Sequence, residues 1–233
     1  MTTAAADVRL LTRLDFQPHK EARTENDSRP LFLGAWLFRQ RSWIPLPLVA
    51  ALLVIPNDDP SPSTLPYVGA VIVIAGEALR LWAVRHIGVI SRTRSDRLGP
   101  IVRSGPFAFV RNPLYVGNIA IWIGFALVAR LAWLVPIFAI ILAVEYHLIV
   151  GWEEHLLRER RGEDYLAYMK RVPRWIPSAP GLLSSADRHQ PSVPGPQSPL
   201  FSWGEMLFSE RGTLIAMAAG FLVLALKAAG PPS

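Results

Sequence analysis

The sequence contains no cysteine and little charge. Only 18% of its 233 residues are Asp, Glu, Lys or Arg, against about 25% in an average soluble domain. The absence of cysteine excludes a disulfide scaffold, thiolate metal sites and a cysteine nucleophile. Hydrophobic residues make up 51% of the chain, and the mean hydropathy of +0.28 leaves too little polar surface for a soluble globule. The composition therefore predicts an integral membrane protein.

Other chemical signatures are missing as well. The five histidines are scattered, with no two of them three or four residues apart, so the sequence predicts no metal site and nearly excludes the histidine-clustered membrane oxygenases. No glycine-rich phosphate loop is present. The net charge of +6 lies in blocks between apolar runs. Membrane proteins distribute basic residues in this way, so we predict no nucleic-acid partner.

Long apolar runs are what the sequence does contain. A helix needs roughly 20 mostly apolar residues to cross about 30 Å of hydrocarbon. We predict an all-α, polytopic helix bundle with about five membrane spans, of which the third and fourth form a hairpin. The predicted spans are residues 43–56, 65–84, 114–129, 132–152 and 212–230.

The other segments are predicted to lie outside the bilayer. Residues 1–42 form an N-terminal segment, and residues 153–177 form a cap after the fourth span. Residues 178–200 are rich in Pro and Ser, which is typical of an unpacked linker. Residues 201–233 are expected to form a short interfacial helix and the last span. Lys227 in that span is expected to reach an interface.

Lys and Arg residues alternate between the loops. Residues 1–42 hold seven of them, residues 85–113 hold six and residues 153–212 hold eight, whereas the loops between these regions hold one or none. The positive-inside rule places the basic regions, and with them the N-terminus, in the cytoplasm. The C-terminus is then predicted to lie on the opposite side of the membrane.

Two polar motifs flank the predicted hairpin. Gly-Pro-Phe-Ala-Phe-Val-Arg-Asn-Pro-Leu-Tyr at 105–115 precedes the third span, and Trp-Glu-Glu at 152–154 follows the fourth. Because two spans separate the motifs, both lie at the same membrane face. Pro113 suits a first helical turn, and Asn112 is a plausible N-cap. One polar cluster is predicted from Arg111, Asn112, Tyr115, Glu153 and Glu154. A set of anchors and caps without catalytic function is the alternative.

Two further groups of residues are candidates for function. Tyr165, Tyr168 and Arg171 follow one another at intervals of three, which predicts one helical face. Glu77 and Arg80 are also three residues apart, within an apolar span. Charges inside a membrane usually face a cavity or each other. Glu77 and Arg80 therefore form a structural ion pair, or Arg80 faces a substrate cavity.

These motifs, in this order, resemble the membrane isoprenylcysteine carboxyl methyltransferases and the related phospholipid methyltransferases. The resemblance extends from about Gly76 to Pro177 and includes Arg80. It implies a site for S-adenosylmethionine at the cytoplasmic end of the bundle, covered by the chain after the two glutamates. By position, it implies a cofactor pocket formed by Arg111, Asn112, Pro113, Tyr115, Gly117, Glu153, Tyr165 and Tyr168. It implies catalytic roles, at the border of that pocket, for Arg80, Glu154 and Arg171.

The residue types suit this cofactor. Arg111 can pair with its carboxylate, and Glu153 can hold its ammonium group or its ribose hydroxyls. Tyr115 and Trp152 offer aromatic faces near a cation. The isoprenylcysteine enzymes usually have His where this chain has Asn112, which cannot titrate. This departure affects the expected substrate more than the expected cofactor.

The sequence therefore predicts a membrane methyltransferase with a lipophilic acceptor that enters from the surrounding lipid. A prenylated thiol carboxylate, a phospholipid amine and a small thiol all remain open as acceptors. One alternative is a membrane reductase of the sterol-reductase type that uses a nicotinamide cofactor. Another is a non-catalytic adaptor on the same scaffold. The sequence does not indicate whether the protein is a monomer or an oligomer.

Overall fold

The computed structural model describes residues 25–56, 64–88, 101–177 and 200–229. Within these ranges the chain forms helices and turns but no strand, so the predicted all-α class is confirmed. A short 3-10 helix, Gly105–Ala108, precedes the fourth α-helix. The α-helices are α1 (Glu25–Gln40), α2 (Pro45–Val54), α3 (Leu65–Ile87), α4 (Pro113–Val128), α5 (Leu134–Arg161), α6 (Glu163–Arg171) and α7 (Trp203–Ala229).

Three of the described helices, α3, α5 and α7, are long and apolar enough to cross a membrane. The helices α2 and α4 are apolar but contain only 10 and 16 residues. At 1.5 Å per residue, α4 is about 24 Å long, less than the roughly 30 Å of a typical hydrocarbon core. The count of five spans therefore stays a prediction.

The turn between α4 and α5 lies where the hydropathy pattern predicts it. α4 ends at Val128 and α5 begins at Leu134. Between them, Arg130 adopts a left-handed backbone conformation with φ of 59°. The amide of Leu131 donates a hydrogen bond of 2.9 Å to the carbonyl of Ala126, which closes the turn. Both ends of the hairpin therefore return to one face of the bundle.

Pairs of glycines bring α3 and α4 into close contact. Gly76 lies against the carbonyl of Gly117, and Gly69 lies against the carbonyl of Gly124. A Cβ atom added at Gly76 would lie 2.8 Å from that oxygen, and one at Gly69 would lie 2.5 Å away. Small residues allow such approach in membrane helices, where van der Waals packing drives association. The order of the two pairs makes α3 and α4 antiparallel.

The helix α1 is a feature that the sequence analysis did not predict. It covers part of the segment expected to be an N-terminal extension and lies along α5. A Cβ atom at Gly34 would collide with the carbonyl oxygen of Leu148, so these helices touch there. The rings of Phe38 and Trp152 are also in contact, with centroids 5.0 Å apart. The expectations for residues 1–24 and for most of the 178–200 linker lie outside the described residues.

The C-terminal region also differs from the prediction. The expected interfacial helix and last span form one continuous helix, α7. Ser202 and Glu205 form a reciprocal capping box at its start, with hydrogen bonds of 3.2 and 2.9 Å. Gly212 is tolerated within it, and no proline interrupts it. Lys227 donates to the carbonyls of Leu52 and Ile55 at the end of α2, and its position at a membrane interface stays a prediction.

Candidate active site

Glu154 lies at the centre of a buried cluster of charges. Its side chain, on α5, is only 2% exposed. Arg111, immediately before α4, places Nη1 3.0 Å from Glu154 Oε1. Arg174, after α6, donates from Nε to the same oxygen over 3.2 Å and from Nη2 to the other oxygen. One carboxylate thus joins three separate parts of the chain.

The backbone after α6 holds this cluster in place. We call residues 172–175 the strap, because they run along the residues that lead into α4. The amide of Arg111 donates to the carbonyl of Pro173 over 2.9 Å. The side-chain amide of Asn112 donates to the carbonyl of Arg174 over 3.2 Å. Asn112 occupies the N-cap position of α4, as predicted, but its side chain makes no capping bond. Pro113 follows, fully buried, as the first residue of the helix.

The short helix α6 covers the cluster with two buried tyrosines. Tyr165 is 3% exposed and Tyr168 is 6% exposed. Tyr168 donates its hydroxyl to the carbonyl of Phe107 over 2.7 Å, and Tyr165 is hydrogen-bonded to Arg111. Burial raises the pKa of Tyr165 to about 12, with a further rise caused by Glu154. Burial also raises the pKa of Tyr168. Both phenols therefore stay protonated at neutral pH.

Arg171 does not share the buried face of these tyrosines. Its side chain is exposed in the last turn of α6. Each step of three residues rotates 300° around a helix, so two steps from Tyr165 leave Arg171 about 120° away. The prediction of one common face therefore needs correction at this residue. Arg174 supplies the guanidinium that reaches Glu154, and sequence spacing gave no sign of it because it follows the helix.

A second layer of polar contacts extends from the cluster into the bundle. Tyr115 donates its hydroxyl to Glu153 over 3.0 Å. Its ring lies 4.8 Å from that of Tyr146, and Tyr146 is hydrogen-bonded to Asn118. These contacts connect Glu153, at the same end of α5 as Glu154, with the middle of α4. Trp152 turns instead to α1, so its ring is not among these contacts.

Arg80 is the centre of a third group of contacts, which lies within the apolar helices. It donates from Nε to Glu77 over 3.1 Å and from Nη2 to Glu210 of α7 over 2.8 Å. Its Nη1 donates to Asn118 of α4. The ion pair between Glu77 and Arg80 was one of the two alternatives predicted from the sequence, and the structure contains it. Glu210 forms a second ion pair with the same guanidinium. The sequence analysis missed Glu210, although a carboxylate beside an apolar run was a signal that could have identified it.

Gly117 and two polar residues of α5 lie outside these three groups of contacts. Gly117 packs against α3, where an added Cβ atom would lie 2.7 Å from Arg80 Cγ. It therefore serves the contact between helices. His147 is exposed on α5, and Glu145 is buried beside α1. In the described part of the chain, no group of His, Asp and Glu could hold a metal ion.

Comparison with known proteins gives a consistent result. Residues 65–163 match the phospholipid methyltransferase family. Human protein-S-isoprenylcysteine O-methyltransferase is 33% identical over 132 residues, which cover 51% of this chain and 43% of the human protein. The enzyme of the same name from Rattus norvegicus is 32% identical over 123 residues, covering 49% of this chain and 42% of the rat protein.

A third relative carries a different name. The nickel-cobalt-cadmium resistance protein NccN of Alcaligenes xylosoxydans xylosoxydans is 32% identical over 98 residues, which cover 42% of this chain and 43% of that protein. The chain thus spans less than half the length of these relatives. No solved structure matches it significantly. The family match covers α3, α4 and α5. It therefore includes Arg80 on α3, Arg111 before α4 and Glu154 on α5. The resemblance to membrane methyltransferases is therefore confirmed for residues 65–163, the part of the chain that matches the phospholipid methyltransferase family.

Proposed function

We propose that the protein transfers a methyl group from S-adenosylmethionine to a lipophilic acceptor at the membrane. The cluster of Arg111, Glu154 and Arg174 carries the proposal. Two guanidinium groups share one carboxylate there, which leaves one positive charge in excess. In addition, Arg111 Nε is buried without a hydrogen-bond partner. This donor set fits the carboxylate at the amino-acid end of the cofactor, because guanidinium and carboxylate form strong charge-assisted hydrogen bonds.

The neighbouring residues complement the rest of such a molecule. Glu153 offers a carboxylate for the cofactor's ammonium group or ribose hydroxyls, and Tyr115 orients it with the 3.0 Å hydrogen bond. Tyr165 and Tyr168 cover the cluster and exclude water from it. Asn112 secures the strap. In this proposal Glu154 acts by holding Arg111 and Arg174 in place, and Arg174 takes the position that the motif implied for Arg171.

When bound, the cofactor supplies an electrophilic methyl group on a sulfonium. Transfer of this group needs alignment of the acceptor and exclusion of water, so the chain needs no covalent nucleophile. Pro113 fixes the start of α4, and Gly117 allows α4 to approach Arg80.

We propose that Arg80 orients the polar end of the acceptor, because it lies among apolar helices that a lipophilic molecule can reach from the bilayer. A guanidinium pairs with a phosphate as well as with a carboxylate, so a phospholipid amine and a prenylated thiol carboxylate both fit this role.

We also propose that the site faces the cytoplasm and that the C-terminus lies on the opposite side. The start of α7 supports this orientation, because the amide of Phe201 donates to the carbonyl of Arg85 over 3.1 Å. The guanidinium of Arg85 lies 4.2 Å from the ring of Trp203. The helix α7 therefore starts beside the end of α3, where a basic loop begins, and ends beside α2.

Calorimetric titration of the purified protein with S-adenosylmethionine and with NADPH tests the proposed cofactor. We expect S-adenosylmethionine to bind and NADPH not to bind. The reverse result would favour the membrane reductase. Binding of neither would favour the non-catalytic adaptor, because the cluster would then serve only to join the helices.

A further inference from the structure

An apolar groove of about 350 Å³ lies between α1 and α5, outside the cluster described above. Its lining consists of aliphatic residues, the indole of Trp36 and one carboxylate, Glu145. The aliphatic wall includes Leu33 of α1 and Ile141 of α5. Specific sites for small molecules have volumes of roughly 300–1,000 Å³ and combine apolar walls with a few polar groups. The groove is at the small end of this range.

One oxygen of the carboxylate in this groove has no hydrogen-bond partner among the residues that the structure describes. Glu145 is only 6% exposed, and its Oε2 atom is buried without a hydrogen bond. Burial of an unpaired carboxylate among apolar groups is unfavourable by several kcal/mol, and the group must acquire a proton or a cation to remain there. A buried acidic residue with no partner in an apolar groove therefore indicates a ligand with a hydrogen-bond donor or a positive charge.

We propose that this groove binds a long-chain aliphatic amine. The ammonium group pairs with Glu145, and the single chain lies along the wall that includes Leu33 and Ile141. The indole of Trp36 favours the same occupant, because a cation near an aromatic face is attracted to it. An anionic amphiphile is repelled by the carboxylate, and a neutral alcohol provides no charge to compensate it. The small volume favours one chain over two.

The inference does not rest on the proposed methyl transfer. Glu145 precedes Glu153 by more than two helical turns, about 12 Å along α5, so the groove and the proposed cofactor site use different parts of that helix. Loss of amine binding and loss of cofactor binding are therefore separate observations on the same protein.

Photolabelling of the full chain in nanodiscs of phosphatidylcholine tests the groove. The probe is hexadecylamine with a diazirine in its chain, and unmodified hexadecylamine is the competitor. In the parent protein we expect competable adducts on peptides from α1 and α5. Glu145→Gln preserves the size of the side chain but removes its charge, and we expect labelling to fall at least tenfold. Glu163→Gln, which changes an exposed carboxylate on α6, is expected to label as the parent does.

Two further measurements complete the design. The neutral probe, hexadecanol with the same diazirine, is expected to label the parent and Glu145→Gln equally, and in both cases more weakly than the amine labels the parent. Val144→Trp fills the groove without changing Glu145, and we expect it to abolish labelling by the amine. Equal labelling of the parent and Glu145→Gln by the amine would overturn the proposal. If Glu145→Gln loses its helicity, Val144→Trp decides, and parental labelling of that variant would overturn the proposal.

Discussion

Glu154 on α5 lies 3.0 Å from Arg111, the second residue before α4, and this contact joins the two ends of the α4–α5 hairpin. Arg174 approaches the same carboxylate from the strap. The position of the strap therefore depends on the ion pairs that Glu154 forms with Arg111 and Arg174. In the proposed enzyme, the same contacts keep a guanidinium ready for the cofactor.

Arg174 and Arg171 form a matched pair for a test of the strap. Arg174→Ala removes two hydrogen bonds to Glu154, whereas Arg171→Ala changes an exposed side chain. Loss of one partner from a buried charge pair costs about 2–5 kcal/mol. We expect Arg174→Ala to weaken binding of S-adenosylmethionine at least tenfold and Arg171→Ala to leave it unchanged. Calorimetric titration measures both, and the opposite ranking would show that the motif implied the correct arginine.

The close contact between α3 and α4 predicts different effects of two Gly→Ala substitutions. At Gly117, a Cβ atom would lie 2.7 Å from both Arg80 Cγ and the carbonyl of Gly76. We expect Gly117→Ala to lower the free energy of unfolding by about 1–3 kcal/mol, as overpacking does. Gly151 has no neighbour within 4 Å of an added Cβ atom. Gly151→Ala should therefore be neutral or stabilising by up to about 1 kcal/mol. Denaturation in detergent, followed by circular dichroism, compares the variants, and equal effects would contradict the packing.

The bridge from Arg80 to Glu210 predicts how α7 is held. Glu210→Ala leaves Arg80 with the carboxylate of Glu77 and the side-chain amide of Asn118, and a broken buried pair costs about 3–5 kcal/mol. We expect a smaller loss, about 1 kcal/mol, from Glu205→Ala in the exposed capping box. The measured quantity is again the free energy of unfolding.

Removal of residues 187–233 is expected to lower stability but to leave binding of S-adenosylmethionine within about tenfold, since α7 contributes nothing to the Arg111 cluster. Loss of binding in that truncation alone would indicate a misplaced site.

The orientation of the hairpin can be tested directly because the chain has no native cysteine. Ala132 is exposed in the turn between α4 and α5, and Arg161 is exposed at the end of α5. We expect an impermeant thiol reagent to label Ala132→Cys only from outside intact cells and Arg161→Cys only from the cytoplasmic side. Both variants should react in detergent, which confirms that each thiol is accessible. Labelling of both from the same side would contradict a membrane-spanning hairpin.

The sequence predicted the parts of the molecule that depend on local pattern. The lengths of the apolar runs predicted α3 and the α4–α5 hairpin. Because two spans separate the two motifs, the sequence also predicted that Arg111 and Glu154 lie at one membrane face. Arg174 and Glu210 were beyond such reasoning. The first depends on the path of the strap after α6, and the second depends on how α7 rotates about its axis against α3. Both are determined by contacts between residues distant in the sequence, which local sequence patterns do not specify.

The proposed methyl transfer requires that the residues around Glu154 hold the methyl donor. Its most direct test is calorimetric titration of S-adenosylmethionine into the parent, Arg111→Ala and Glu153→Gln, with Arg160→Ala as the exposed control on α5. At about 2–5 kcal/mol for each lost charged partner, binding should weaken roughly 30-fold to several-thousand-fold in the two site variants. The control should bind like the parent, and circular dichroism should show unchanged helicity in all four. Parental affinity in both site variants would contradict the claim and place the cofactor elsewhere.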